Sequence, residues 1–232
     1  MVQRSKVASR LADRLTVWID PLKVDHYVGL GVVLTRRTDE VLRRAPVHLR
    51  RMPILRKALG ALRPRDPPFI IATPRYRTPA PINGLDKYLL VKDLVDRGGA
   101  YQSSRWYADL RAKVERGDRA HHKHIEMRSP EEIHAFFNGY VLPLVETMRR
   151  DGYDMQLGAH LGQALIGPDG QLHKAKHGDH RFFVARLVGA ERFPLQIVGV
   201  HEAWVQVAGL DPRLQDSDHL ARAVREVERR HR

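Results

Sequence analysis

The chain has 232 residues and a mass of 26.6 kDa, enough to bury a core in one elaborated domain or two small ones without covalent staples. It contains no cysteine, which excludes disulfides, thiolate nucleophiles, cysteine–zinc sites and clusters, and no run approaches the length of apolar sequence that a membrane-spanning helix needs. With 40 Lys+Arg against 27 Asp+Glu the formal charge is +13, and the excess is lopsided: residues 1–80 hold 17 basic and 6 acidic side chains, the remainder 23 and 21, so one end is suited to an anionic partner.

The opening MVQRSKVASR lacks the apolar segment of a secretory signal, and a cytoplasmic location is the expectation. Residues 15–28, LTVWIDPLKVDHYV, read as a short strand, a turn at Asp20-Pro21 and a second half-amphipathic stretch. Between residues 36 and 65 Arg43-Arg44-Ala45-Pro46 recurs seven positions on as Arg50-Arg51-Met52-Pro53. On a helix this period lines up Leu42, Ala45, Leu49, Met52 and Leu59 with Arg43, Arg44, Arg50 and Arg51 beside them. The two prolines favour two short helices or a kinked one. Three uses of this arm stay open: contact with an anionic membrane surface, which would make the protein peripheral there, contact with nucleic acid, or a helix snorkelling over the protein's own core.

Residues 64–84 contain six prolines and read as a linker or irregular loop. Helices are expected over 85–97, ending at Gly98-Gly99, and over 103–116, ending at Gly117. In the second, Trp106 and Tyr107 read as core anchors rather than a base-stacking surface. The run His121-His122-Lys123-His124 reads as a solvated loop rather than a metal site. Ser129-Pro130-Glu131-Glu132 is a capped helix start, and that helix carries Phe136, Phe137 and Tyr140 and continues past Pro143 with a kink. Residues 163–167 and 171–176 form a hairpin about Pro168-Asp169-Gly170. His177-Gly178-Asp179-His180-Arg181 then leads into a helix over 182–188, Pro194 into a strand over 195–200, and Asp216-Ser217 into a charged helix.

A strand, a glycine turn and a helix place unpaired N–H groups and a helix dipole at one point, where they favour an anion such as phosphate. Gly178 lets the backbone approach closely, Arg181 supplies a permanently charged phosphate partner, and His177 and His180 are donors or proton acceptors beside it. Asp179 either caps the helix or, next to a polyphosphate, holds Mg²⁺. Lys174 and Lys176 share a strand face; if that face bears the loop, Lys176 helps neutralise phosphates, and if not, it guards a sheet edge. His173 and the pair His201-Glu202 are further residues that could converge on the loop, although structural histidines explain them as well. In the plainest alternative Asp179 is a cap and Arg181 a surface charge.

The segment IGPDGQLHKAKHGDHRFFVARLVGAERFPLQIVGVHEAW resembles the central part of the ParB/sulfiredoxin-like superfamily. It is particularly similar to ParB-like proteins of unassigned role in archaea and in bacterial glycan gene clusters, which end this segment with His-x-x-Trp, here His201 and Trp204. IDPLKVDHYV resembles the superfamily's opening strand and Pro turn, while WYADLRAKVERG and RRDGYDMQ sit where it has helices, so the likeness spans roughly 15–28 and 100–205. The resemblance implies a mixed α/β (α+β) fold, a small mixed sheet flanked by helices. In that frame the chain is one domain over 1–232, with a basic Pro-rich insertion at 29–84, a core at 85–205 and a C-terminal helix at 206–232.

Members of this superfamily bind nucleoside phosphates and include a CTP hydrolase and DNA clamp, an ATP-dependent sulfinic-acid reductase and a free-serine kinase. Gly178, Asp179, His180 and Arg181 fall on the Gly-Glu-Arg-Arg phosphate box of the ParB branch, with Asp179 at the metal-binding acid. They fall equally on the Gly-Cys-His-Arg of the sulfiredoxin branch, where Asp179 replaces the catalytic cysteine and so excludes that chemistry. The kinase branch uses a Glu after the first strand as base; here Asp20, Asp25 or His180 would have to serve. The expectation is a Mg²⁺-dependent enzyme using ATP or another nucleoside triphosphate, a phosphotransferase or triphosphatase, with a sugar or glycan hydroxyl suggested as acceptor by the genomic company of such relatives. The alternative is a nucleotide-gated nucleic-acid-binding module that uses the 36–65 arm, although no ParB-type helix-turn-helix is visible downstream.

Overall fold

A computed structural model describes residues 2–28, 66–122, 125–155 and 161–232. The arm with Arg43, Arg44, Arg50 and Arg51, and Lys123 and His124 of the histidine run, lie outside the described residues. The described chain opens on a helix that the sequence reading did not anticipate, α1 (Arg4–Leu11), which buries Val7 and Leu11. Strand β1 (Thr16–Ile19), a turn at Pro21–Lys23 and β2 (His26–Tyr27) follow as expected.

The proline-rich stretch does more than link. Its described part adds β3 (Ile70–Ile71) and β4 (Ala80–Pro81) to the sheet and buries Phe69 and Ile71. The strands are only two residues long and flanked by Pro68, Pro74 and Pro79, because a proline interrupts ladder bonding and confines pairing to short pieces. Next come α2 (Asp86–Asp96) and α3 (Arg105–Glu115), the latter capped by Ser104, whose Oγ accepts from the Tyr107 N–H at 3.2 Å. A hairpin of β5 (Ala120–His122) and β6 (Ile125–Met127) leads to α4 (Pro130–Phe136), which Ser129 caps by accepting from the Glu132 N–H.

The expected kink before Pro143 is a π-helical turn over Phe137–Val141, after which α5 (Leu142–Asp151) continues. A widened turn accommodates a proline that can neither donate nor approach the preceding carbonyl. The hairpin of β7 (Gly162–Ile166) and β8 (Leu172–Lys174), then α6 (Asp179–Val188), β9 (Phe193–His201), α7 (Glu202–Val207) and α8 (Ser217–Arg230) complete the described chain. Helix α6 starts three residues earlier than its apolar run suggested and so takes Asp179, His180 and Arg181 into its first turn.

The fold is mixed α/β. Among the described residues one sheet has the strand order β1-β9-β7-β8-β2-β4, with β3 also pairing with β9. Strands β7 and β9, β2 and β8, and β3 and β9 run parallel; the other pairs run antiparallel. Helix α6 packs against α2 and α5, and Phe182, Phe183 and Phe193 are buried in the large core on that side of the sheet. A smaller cluster of Val28, Ile71, Leu165, Ala175 and Val198, with Tyr76 against it, forms a second patch of core. Helix α8 blunts the free edge of β1: Glu228, buried, accepts from the Trp18 N–H at 3.0 Å, and Arg225 donates to the Thr16 carbonyl at 2.9 Å. No helix among the described residues is long and apolar enough to cross a membrane.

Candidate functional site

The register His26↔His173 and Tyr27↔Lys174 sets two chemistries back to back, because successive strand residues point to opposite faces. Tyr27 and Lys174 face the large core under α6. There Lys174 is fully buried, and its ammonium donates to the carbonyls of Ala175 and His177, the latter at 2.6 Å, and to Asp179 Oδ1 at 3.0 Å. All three ammonium protons are therefore used, and the chain between β8 and α6 is wrapped around one cation. The wrap needs two successive left-handed residues, His177 at φ 77° and Gly178 at φ 69°. A Cβ on Gly178 would lie 2.8 Å from the Cα of Gly162, so the close approach expected of this glycine is an approach to β7.

Asp179 is 8 % exposed, and its second oxygen faces the Lys87 ammonium at 3.4 Å. Burial pulls the Lys174 ammonium down to about 8, with Asp179 opposing the fall. Burial also works against the Asp179 carboxylate, but the adjacent Lys174 and Lys87 outweigh it and leave the acid below its ordinary value. Tyr27 is pushed up to about 12, first by burial and then by the nearby Asp179.

Asp179, expected as a Mg²⁺ ligand, has both carboxylate oxygens against ammonium groups, those of Lys174 and Lys87; no group of three His, Asp or Glu side chains among the described residues is placed to hold a metal. Asp20 and Asp25 are not brought to the loop either. Asp20 caps the Pro21–Lys23 turn by accepting from the Leu22 N–H at 2.8 Å, and Asp25 pairs with Arg186 at 2.6 Å. Arg186 also binds the carbonyls of Pro21, Leu22 and Val24. It lies seven residues along α6 from Asp179, about 10 Å at 1.5 Å per residue. Both acids thus serve the turn at the far end of the helix.

His180 and Arg181, in the first turn of α6, meet different surroundings. The His180 ring stacks on Trp106, 5.3 Å between centroids at 15°, and stands edge-on to His122 at 4.5 Å. His122 is buried against Trp106, Phe136 and Tyr140, which corrects the solvated-loop reading of that residue. Trp106 and Tyr107 are the buried anchors they were expected to be. Arg181 lines a cavity of about 310 Å³ together with Tyr140, Leu144, Met148, Tyr153 and Asp154 from α5 and its flanks. Sequence reading missed these walls because α5 is separated from Arg181 by some thirty residues and carries no recognisable motif. Lys176 and His177 are exposed beside the loop, and His177 takes part through its carbonyl.

His173 points the other way, so it does not converge with His177 and His180. Its Nδ1 pairs with the Tyr76 hydroxyl at 2.6 Å, and its ring is edge-on to His26. Tyr76 in turn meets His201, whose Nδ1 accepts from the Ala203 N–H and caps α7. Glu202 accepts from the N–H and hydroxyl of Thr73. Tyr76 and His173 line a cleft of about 490 Å³ together with Lys23, Asp25, His26 and Asp169. Burial pulls His173 down to about 4 and pushes the Tyr76 phenol up. Compared with protein families, curated proteins and solved structures, the chain gives no match.

Proposed function

We propose that this chain binds a nucleoside phosphate, with the phosphates at the first turn of α6 and the base in the neighbouring cavity. The observation that carries the reading is the position of Arg181: a guanidinium in the first turn of α6 that lines a cavity together with Tyr140, Leu144, Met148, Tyr153 and the carboxylate-bearing Asp154. A ligand with an anionic end and a flat, largely apolar body satisfies both surfaces, the guanidinium and helix dipole taking the charge and the aromatic walls taking the ring. Phosphoryl transfer or hydrolysis is the activity class, since such chemistry asks mainly for positioning and charge neutralisation. His180, fixed against Trp106 in the same turn, is the side chain offered for proton exchange with the ligand. Asp179 stays with Lys174 and has no metal role in this reading.

Thermal unfolding with ATP, CTP, GTP and their diphosphates tests the proposal. A ligand at a hundred times its dissociation constant adds about 2.7 kcal/mol if it binds only the folded chain. Stabilisation by at least one nucleotide is expected, and the part of it that exceeds the effect of inorganic pyrophosphate is lost in Arg181→Ala and in Leu144→Trp, which fills the cavity. No stabilisation of the folded wild-type chain by any of them overturns the proposal.

A further inference from the structure

Helix α1 has the sequence RSKVASRL and contains no acid. With Val7 and Leu11 turned into the core, Lys6, Ser9 and Arg10 are left exposed. A tight turn at 211–214, closed by the Leu214 N–H on the Asp211 carbonyl at 2.7 Å, brings a third cation, Arg213, to the same place from across the sequence. Arg10 fastens the two segments by donating to the Leu214 carbonyl at 2.6 Å. Between them runs an open groove of about 460 Å³, lined by Val2, Gln3, Lys6, Ser9, Arg10 and Arg213, with no carboxylate among them.

The lack of acids is notable on this molecule, where exposed helical arginines commonly have a carboxylate. Arg14 pairs with Asp218, Arg97 with Asp93, Arg111 with Glu115 and Arg229 with Glu226. Among the described residues Lys6, Arg10 and Arg213 form no ion pair. The acids close by do not line the groove: Asp66, attracted to Arg4 and Lys6, accepts from the N–H and hydroxyl of Ser5, and Asp211 accepts from the Arg213 N–H. Three cations lining one groove, with only Asp66 and Asp211 close by, leave a net positive lining that favours an anion entering between them. The Arg213 guanidinium, the Arg10 donors not used on the Leu214 carbonyl and the Lys6 ammonium can each donate to the several oxygens of a phosphoryl group.

We infer that the groove between α1 and the 211–214 turn is a binding site for a phosphate-bearing anion, held by Lys6, Arg10 and Arg213. The site shares no lining residue with the α6 cavity and does not depend on the nucleotide reading.

The test uses the full chain carrying Arg181→Ala, so that the α6 turn does not contribute, and follows backbone amide resonances of residues 6–10 and 213. The probes are inorganic pyrophosphate and, separately, vesicles of phosphatidylcholine with and without phosphatidylserine. Pyrophosphate should shift these resonances, and Lys6→Glu with Arg213→Glu should weaken its binding by about tenfold or more, as loss of charge-assisted contacts requires; added salt should weaken it further. Both substituted side chains are exposed, and an unchanged unfolding midpoint confirms that the variant folds. Binding confined to phosphatidylserine vesicles and lost in the same variant also supports the site, with a lipid headgroup as source of the phosphate. Binding of neither probe, or binding equal in the charge-reversed chain, overturns the inference.

Discussion

Lys174 is the residue on which the loop depends. It is an ammonium with every proton satisfied, in a place where an unpaired charge could not persist. Lys174→Met leaves the buried Asp179 carboxylate without its main partner and two carbonyls without a donor, so it should cost about 3–5 kcal/mol in urea unfolding, the range for breaking a buried pair from one side. Lys174→Met combined with Asp179→Leu should recover much of that loss, because removing both charges removes the uncompensated one. A double variant no more stable than the single one would show that the carbonyl contacts, not the charge pair, carry the effect.

His173 gives the pH prediction. Its folded value of about 4 lies below the ordinary 6.5, so between those limits the unfolded chain takes up a proton that the folded chain does not. Stability supplied by this group is therefore present above pH 6.5 and falls as pH is lowered from 6.5 towards 4. Urea midpoints at pH 7 and pH 5 should differ less in His173→Gln than in the wild type; an identical pH dependence in the two would remove His173 from the account.

At the scale of elements, the path from β8 to α6 rests on Gly178. Gly178→Ala places a Cβ 2.8 Å from the Cα of Gly162 and adds a side chain at φ 69°, and the left-handed conformation alone costs about 1–2 kcal/mol. A loss of at least that size is expected in denaturant unfolding, and a neutral substitution would contradict the packing described. The C-terminal helix yields a second element-scale test. Glu228→Ala strips the half-buried Trp18 N–H of its acceptor, and losing a hydrogen bond to a charged group costs about 1.5–3 kcal/mol. Hydrogen exchange at Trp18 should quicken with it; unchanged exchange would mean that α8 does not guard the β1 edge.

Much of this architecture was legible in the sequence, and the reasons differ by element. Ser129-Pro130, Gly98-Gly99 and Pro168-Asp169-Gly170 act locally, so their helix boundaries and hairpin turn were readable. The strands at Ile70–Ile71 and Ala80–Pro81 were hidden because two residues carry no periodicity and their prolines signal loop. At the site, the importance of Gly178 and Arg181 was visible from the strand–glycine–helix pattern. The partner of Asp179 was not. Alternation groups Lys174 with Lys176, and nothing local shows that one lysine is buried under the loop while the other is exposed. Asp20 and Asp25 are hard to place for a related reason: nearness to the first strand says nothing about which end of α6 the turn meets, and Arg186 decides it.

Across the whole molecule, three candidate binding regions are built from different elements. The α6 turn and its cavity lie on the large-core side of β2 and β8, the Tyr76–His173 cleft lies on the opposite face of the same two strands, and the basic groove belongs to α1 and the 211–214 turn. The net charge of +13 favours anionic ligands in general, which makes site-specific variants the necessary control for any binding measurement. That Arg181 holds the phosphates of a nucleotide whose base occupies the α5 cavity is tested by isothermal titration calorimetry of the nucleoside triphosphates into the charge-reversed Lys6→Glu/Arg213→Glu chain, with and without Arg181→Ala, so that the basic groove does not contribute. One-site binding of at least one nucleotide is expected in the charge-reversed chain, and its loss when Arg181→Ala is added. Binding that survives Arg181→Ala in that background, or none in the charge-reversed chain, would contradict it.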